Sequence, residues 1–139
     1  MRDVFVLDAC ALIAFLRDEK GADVVGDIYD KACTGDLILV INKINLLEIY
    51  YDFYRSRGAK YANDQLENIK RSEIIIYEFT DKAFLEAGRL KATYKISLAD
   101  SIALAQAVIS KGTLLTADHH EFDVIEESKQ VNVSFRWIR

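Results

Sequence analysis

Four acidic residues stand where a chain of alternating strands and helices brings distant segments together. Asp8 follows the apolar run Val4–Leu7, and Asp118 follows the short run Thr113–Thr116. Glu48 lies in the first turn of the helix expected after Leu37–Ile41, and Asp100 in the first turn of a helix that Ser97 is placed to cap. In an open parallel sheet, ligands sit beyond the carboxyl ends of the strands, and the helices that follow start at that same edge. The four carboxylates are therefore expected to converge. Two carboxylates about 5 Å apart repel by roughly 3 kcal/mol at an effective dielectric of about 20, and an unpaired buried one is costly. Four in one pocket need a cation. Oxygen ligands with no paired His or Cys favour Mg²⁺ or Mn²⁺ over zinc. Such a centre suits phosphodiester hydrolysis: it holds a non-bridging phosphate oxygen, activates water and stabilises the leaving oxygen.

Each acid taken singly has a plainer account. Asp8 and Asp118 are placed as helix caps or turn residues. Asn45 with Glu48, and Ser97 with Asp100, have capping-box spacing, and an acid in a first turn complements the helix dipole. The joint pattern weighs against these separate accounts. Asp100 is one of the few polar residues in Leu98–Val108, a stretch apolar nearly all round.

The elements that must position these acids follow from pattern and punctuation. Val4–Leu7 and Leu37–Ile41 are continuous apolar runs rich in β-formers, as in strands buried on both faces. Helices are expected over Ala9–Leu16 and Ala22–Cys33, the second stopped by Gly35. Asn45 opens a helix through Arg57 that Gly58 closes, and a further helix covers 60–70. A strand follows over 74–79. Thr80 caps a helix to about Tyr94, and Ser97 caps the next, Leu98–Lys111, closed by Gly112. Thr113–Thr116 is a short strand, 118–128 a polar turn with a helical piece, and Val131–Trp137 a final strand. This order predicts a three-layer α/β/α sandwich with a mostly parallel central sheet, one domain spanning residues 1–139.

Composition narrows the class further. With 51% apolar residues, a chain of 139 can bury a sizeable core without staples. The 6 Gly and 0 Pro exclude collagen-like and Pro-rich chains. Two cysteines, Cys10 and Cys33, make neither a disulfide framework nor a four-ligand zinc site, and fit a reducing, cytoplasmic setting. The net charge of −4 argues against holding nucleic acid on a broad basic face, but not against a metal meeting the phosphate. The apolar run Ala9–Leu16 is too short to span a membrane, and Asp3 and Asp8 break the N-terminal stretch as a signal peptide.

Taken together, Val4–Ile13 around Asp8, Asn45-Leu46-Leu47-Glu48, Leu98–Ala105 around Asp100, and Leu114–Phe122 around Asp118 resemble the four acidic motifs of the PIN domain. The resemblance covers essentially the whole chain. Asp8, Glu48, Asp100 and Asp118 match the family's metal-binding acids. Short chains of this kind are similar to VapC-type toxins of toxin–antitoxin pairs. The resemblance implies a Mg²⁺-dependent endoribonuclease, with Mn²⁺ as the alternative ion, commonly dimeric and neutralised by a small antitoxin. Two other readings stay open: a stand-alone PIN nuclease in RNA processing, and an inactive RNA- or protein-binding module.

Asn42 and Asn45 stand where the family often has Ser and Thr, and Asn can still cap. Glu121 and Asp123 are further acids beside Asp118, so the fourth ligand is open among the three. Thr116 is read as a strand-end hydroxyl rather than as support for a metal. His119 and His120 are read as exposed and Cys10 as a small core residue. The helix Ile44–Tyr54 carries Leu47, Tyr50, Tyr51 and Tyr54 at helical spacing, read as core with part left for a dimer or antitoxin surface. Arg55, Arg57, Lys60, Lys70 and Arg71 form one basic stretch, and Arg89, Lys91 and Lys95 another.

Overall fold

The computed structural model describes residues 2–139. Five strands, β1 (Asp3–Leu7), β2 (Leu37–Asn42), β3 (Ile75–Tyr77), β4 (Thr113–Thr116) and β5 (Ser134–Trp137), form one sheet in the order β3-β2-β1-β4-β5. Every pairing is parallel. Around it lie α1 (Ala9–Leu16), α2 (Ala22–Cys33), α3 (Lys43–Arg71), α4 (Asp81–Thr93), α5 (Leu98–Ile109) and α6 (His119–Ser128).

The period-two alternation of the strands feeds two cores. Leu7, Leu39, Ile41 and Leu115 pack with Leu12, Val25, Ile28 and Phe53 from α1, α2 and α3. Val6, Val40 and Leu114 pack on the opposite side with Leu90, Leu104 and Phe122 from α4, α5 and α6. The three-layer sandwich expected from the alternation of elements is thus the observed one. The register then sets the level of the site. Leu7 lies opposite Ile41 on one side and Leu115 on the other. The next residues, Asp8, Asn42 and Thr116, therefore come to one level at the carboxyl edge.

Several boundaries differ from those the sequence suggests. Asn42, not Asn45, caps α3: its side chain accepts from the Ile44 amide at 2.9 Å. The region 118–128 is more helical than a polar turn, because Asp118 caps α6 by accepting from the Glu121 amide at 3.2 Å. The strands expected over 74–79 and 131–137 shorten to β3 and β5, the two sheet edges, which have a partner on one side only. The break at Gly58 is observed. Its φ of 87° and ψ of 173° turn α3 sharply, a conformation that favours a residue without Cβ. Helix α5 ends at Ile109 rather than Lys111, and Lys111 itself takes the left-handed turn, with φ 53°.

Gly112 serves close packing instead. A Cβ there would lie 2.6 Å from the Val4 carbonyl oxygen of β1. Gly112→Ala should therefore destabilise the chain by roughly 1–3 kcal/mol, as overpacking does. Gly88, inside α4 with no atom within 4 Å of such a Cβ, should gain up to about 1 kcal/mol on the same change. Urea unfolding of the two variants measures both, and equal midpoints would show that β1 yields freely at Val4.

Candidate active site

Asp8 leaves β1 and caps α1, with Oδ1 accepting from the Ala11 amide at 2.8 Å. Its Oδ2 accepts from the Thr116 hydroxyl. That hydroxyl oxygen in turn accepts from the Asp118 amide at 3.0 Å. Thr116 is fully buried and does more than end a strand: it ties the Asp8 carboxylate to the backbone at Asp118. Asp100 follows from Ser97, whose hydroxyl accepts from the Asp100 amide at 3.1 Å. The other half of that expected capping box comes from elsewhere in the chain, since the Ser97 amide donates to Glu121 Oε1 at 3.2 Å.

Asp100, Asp118 and Glu121 each offer a carboxylate oxygen, and the three lie within 4.8 Å of one another. Asp8 is buried beside them and within electrostatic reach of Asp118, Asp100 and Glu48. Glu48 is half-buried on α3 and lines a small cleft with Ser97, Leu98 and Ala99 at the start of α5, outside the tight cluster. Asp123 turns away, its carboxylate 2.8 Å from His119 Nδ1. Of the three acids open at the fourth position, geometry groups Asp118 and Glu121 with Asp100.

Asn45 ties the two halves of the site. Its Nδ2 donates to the Ala99 carbonyl at 3.0 Å, joining α3 to the first turn of α5, while its buried Oδ1 has no protein partner. Beneath it, Asn42 Nδ2 donates to Gln106 Oε1 at 2.9 Å. Gln106 carries no sequence signal beyond being a polar residue in an apolar helix. Glu121 carries one, its spacing of three from the cap Asp118.

The electrostatics are those of uncompensated negative charge. Burial pushes the Asp8 carboxyl up to about 7, with Asp118 and Glu48 adding and the bonds from Thr116 and Ala11 opposing. Burial, then the charges of Asp118 and Asp8, pushes Asp100 up to about 8. Glu48 is raised by burial and by Asp52. Among the described residues, none of Asp8, Glu48, Asp100, Asp118 and Glu121 pairs with a lysine or arginine. An oxygen-only donor set with surplus negative charge fits a hard divalent cation.

The neighbours are less reactive. Burial and Asp8 push the half-buried Cys10 thiol up to about 11, leaving it protonated. His119 is exposed but held, stacked on Trp137 with centroids 3.8 Å apart and with Nε2 2.9 Å from the Arg139 carbonyl oxygen. His120 is exposed.

Residues 5–127 match the PIN domain family, and the chain belongs to it. No curated protein sequence matches the chain. Solved structures share the fold. VapBC2 from Rickettsia felis, bound to a DNA fragment from the promoter, is 20% identical with a TM-score of 0.71, the match covering 96% of this chain and 98% of that one. DNA-bound VapBC from Salmonella typhimurium is 15% identical with a TM-score of 0.73 over 100% of both chains. A toxin-antitoxin complex from Klebsiella pneumoniae is 18% identical with a TM-score of 0.67, covering 92% and 93%.

Asp8 and Asp100 hold protons in the folded chain at pH values where the unfolded chain has released them. Their contribution to stability is full below about pH 4 and is lost as pH rises through about 7 and 8. With a chelator present, Asp100→Asn should melt above wild type near about pH 8, and the gap should close toward about pH 5. Thermal melts across that range measure the difference; a gap independent of pH would remove repulsion as its cause.

Proposed function

We propose that the chain is a metal-dependent endoribonuclease that acts as the toxin of a toxin–antitoxin pair. The observation that carries this reading is the cluster of Asp100, Asp118 and Glu121 oxygens at the carboxyl edge of the sheet, with Asp8 behind it and, among the described residues, no lysine or arginine paired with it. Asp8, Glu48, Asp100 and Asp118 are the catalytic and metal-holding acids, joined by Glu121. Mg²⁺, with Mn²⁺ as a substitute, supplies Lewis-acid polarisation of the phosphate and acidification of water when bound.

The chain's own residues hold that centre in place. Thr116 and the Ala11 amide fix both oxygens of Asp8, so it cannot swing away. The caps at Ser97 and Asp118 fix the backbone beneath the other two aspartates. Glu48, half-buried on the α3 side outside the tight cluster, would add a further carboxylate toward a bound cation, and one of the four acids would orient the attacking water. The fold shared with VapBC structures and the Klebsiella toxin-antitoxin complex supports the toxin role. The reading extends to a cytoplasmic protein, one domain over residues 1–139, that works as a homodimer with an antitoxin partner. No helix among the described residues is long and apolar enough to cross a membrane.

Asn is nearly isosteric with Asp at positions 8 and 100. Asp8→Asn and Asp100→Asn should fold, yet cut a labelled RNA on the order of a hundredfold more slowly or worse. EDTA should stop the wild type and added Mg²⁺ or Mn²⁺ restore it. Equal cutting by all three proteins would place the activity elsewhere, and RNA binding without cutting by any of them would favour a non-catalytic module.

The partner surface is a second point of test. Leu47, Tyr51 and Tyr54 are about half exposed along one stripe of α3, while Ile49 and Phe53 fill the core. Tyr54→Glu, on that stripe but outside the cleft that Glu48 lines, should therefore leave folding and RNA cutting intact but abolish co-purification with a co-expressed antitoxin, or dimerisation seen by light scattering. A variant that keeps both associations would remove α3 from the partner surface.

A further inference from the structure

Glu121 belongs to two features at once. One oxygen reaches the cluster with Asp100 and Asp118, and the side chain also lines a cleft of about 500 Å³ between α6 and the segment leading into α5. The far wall of that cleft is Tyr94 and Lys95, the near wall His120 and Val124, and Ile96 and Ile125 form its apolar floor. The bond from the Ser97 amide to Glu121 pins the two walls together, so the cleft is preformed.

We propose that this cleft is the subsite for one nucleobase of a single-stranded RNA, flanking the phosphate that the acidic cluster addresses. The inference rests on the ribonuclease reading above. A group seated in the cleft touches a residue of the acidic cluster, so a base there lies within one nucleotide of the reacting phosphate. The lining suits a base: an aromatic ring, an apolar floor, and Val124, an apolar residue left 68% exposed beside it. The rim suits the adjoining phosphate. Lys95 and His120 are exposed and, among the described residues, have no acidic partner.

Several other cations are engaged locally. Arg55 lies by Asp52 and Tyr51, Arg57 over Tyr61, Lys60 on Asp64, Lys70 on Glu67 and Arg89 on Glu86. In an acidic chain, Lys95 is thus a cation free for RNA beside the acidic cluster.

The test uses the full chain carrying Asp100→Asn, to bind without cutting, and a fluorescein-labelled, mixed-sequence single-stranded RNA with Mg²⁺, followed by anisotropy. Tyr94→Ala should weaken binding about tenfold or more, whereas Tyr94→Phe, which keeps the ring, should bind like its parent. Lys95→Ala should weaken binding and lower its salt dependence by about one charge. Val124→Glu, at an exposed position that does not disturb the core, should weaken binding by setting a carboxylate in the cleft. In the otherwise wild-type chain, Tyr94→Ala should leave the rise in melting temperature on adding Mn²⁺ unchanged, which separates base binding from the metal site. If the parent binds RNA and Tyr94→Ala, Lys95→Ala and Val124→Glu all bind equally well, the subsite is wrong and the ribonuclease reading stands. If the wild-type chain neither binds nor cuts RNA, both fall together.

Discussion

Carboxylates brought together at the carboxyl edge of a parallel sheet repel one another, and much of the local structure around the site opposes that repulsion. Asp8, Asp118 and Asp100 each sit at the start of a helix, where free amides and the positive end of the helix dipole favour negative charge. Asp8 and Asp118 accept cap bonds themselves, and Ser97 caps the turn that carries Asp100. The bonds that start the helices are therefore the bonds that hold the acids. They do not cancel the charge: burial and neighbouring charge still push Asp8 and Asp100 up to about 7 and 8. What remains is a demand for a cation, which is the property a phosphodiesterase centre needs.

The sheet makes the convergence unavoidable. β1 runs between β2 and β4, with Leu7 level with Ile41 and Leu115. A slip of one residue would send Val6 and Leu7 to each other's layers and expose the wrong faces to both cores. Packing thus locks the register, and the register sets Asp8 beside Thr116. The close approach at Gly112, with no room for a Cβ beneath the Val4 carbonyl, is part of the same lock on β1 and β4.

On the ribonuclease reading proposed above, an acidic chain must concentrate its attraction for phosphate. The net charge of −4 argues against a broad basic face, and most cations in α3 are paired with acids or aromatic rings of that helix. Attraction for the backbone would then fall to a cation held by the acidic cluster and to the unpaired side chains beside it. Affinity for the rest of the nucleotide comes from apolar and aromatic surface, which is indifferent to charge. The cleft next to Glu121, with its aromatic and apolar lining, offers such a surface beside the acids.

The strong periodic elements are legible in the sequence alone. Ala9–Leu16, Ala22–Cys33 and Thr113–Thr116 occur with the bounds that their apolar pattern and punctuation suggest, because local pattern and burial agree there. The acids themselves were legible as residues at strand ends and helix starts. Their grouping was not. Glu121 joins Asp100 while Asp123 turns to His119, a choice made by the helical rotation of α6 and by the bond from Ser97, a residue distant in the chain. Thr116 reads as an ordinary strand-end hydroxyl until the register puts it against Asp8. Asn42 takes the cap that Asn45 could equally have taken, which leaves Asn45 to tie α3 to α5. Composition and spacing determined that this chain folds as an α/β sandwich with acids at one edge. Only the tertiary structure decided which acids meet, because that depends on register and helix rotation, which long-range packing sets.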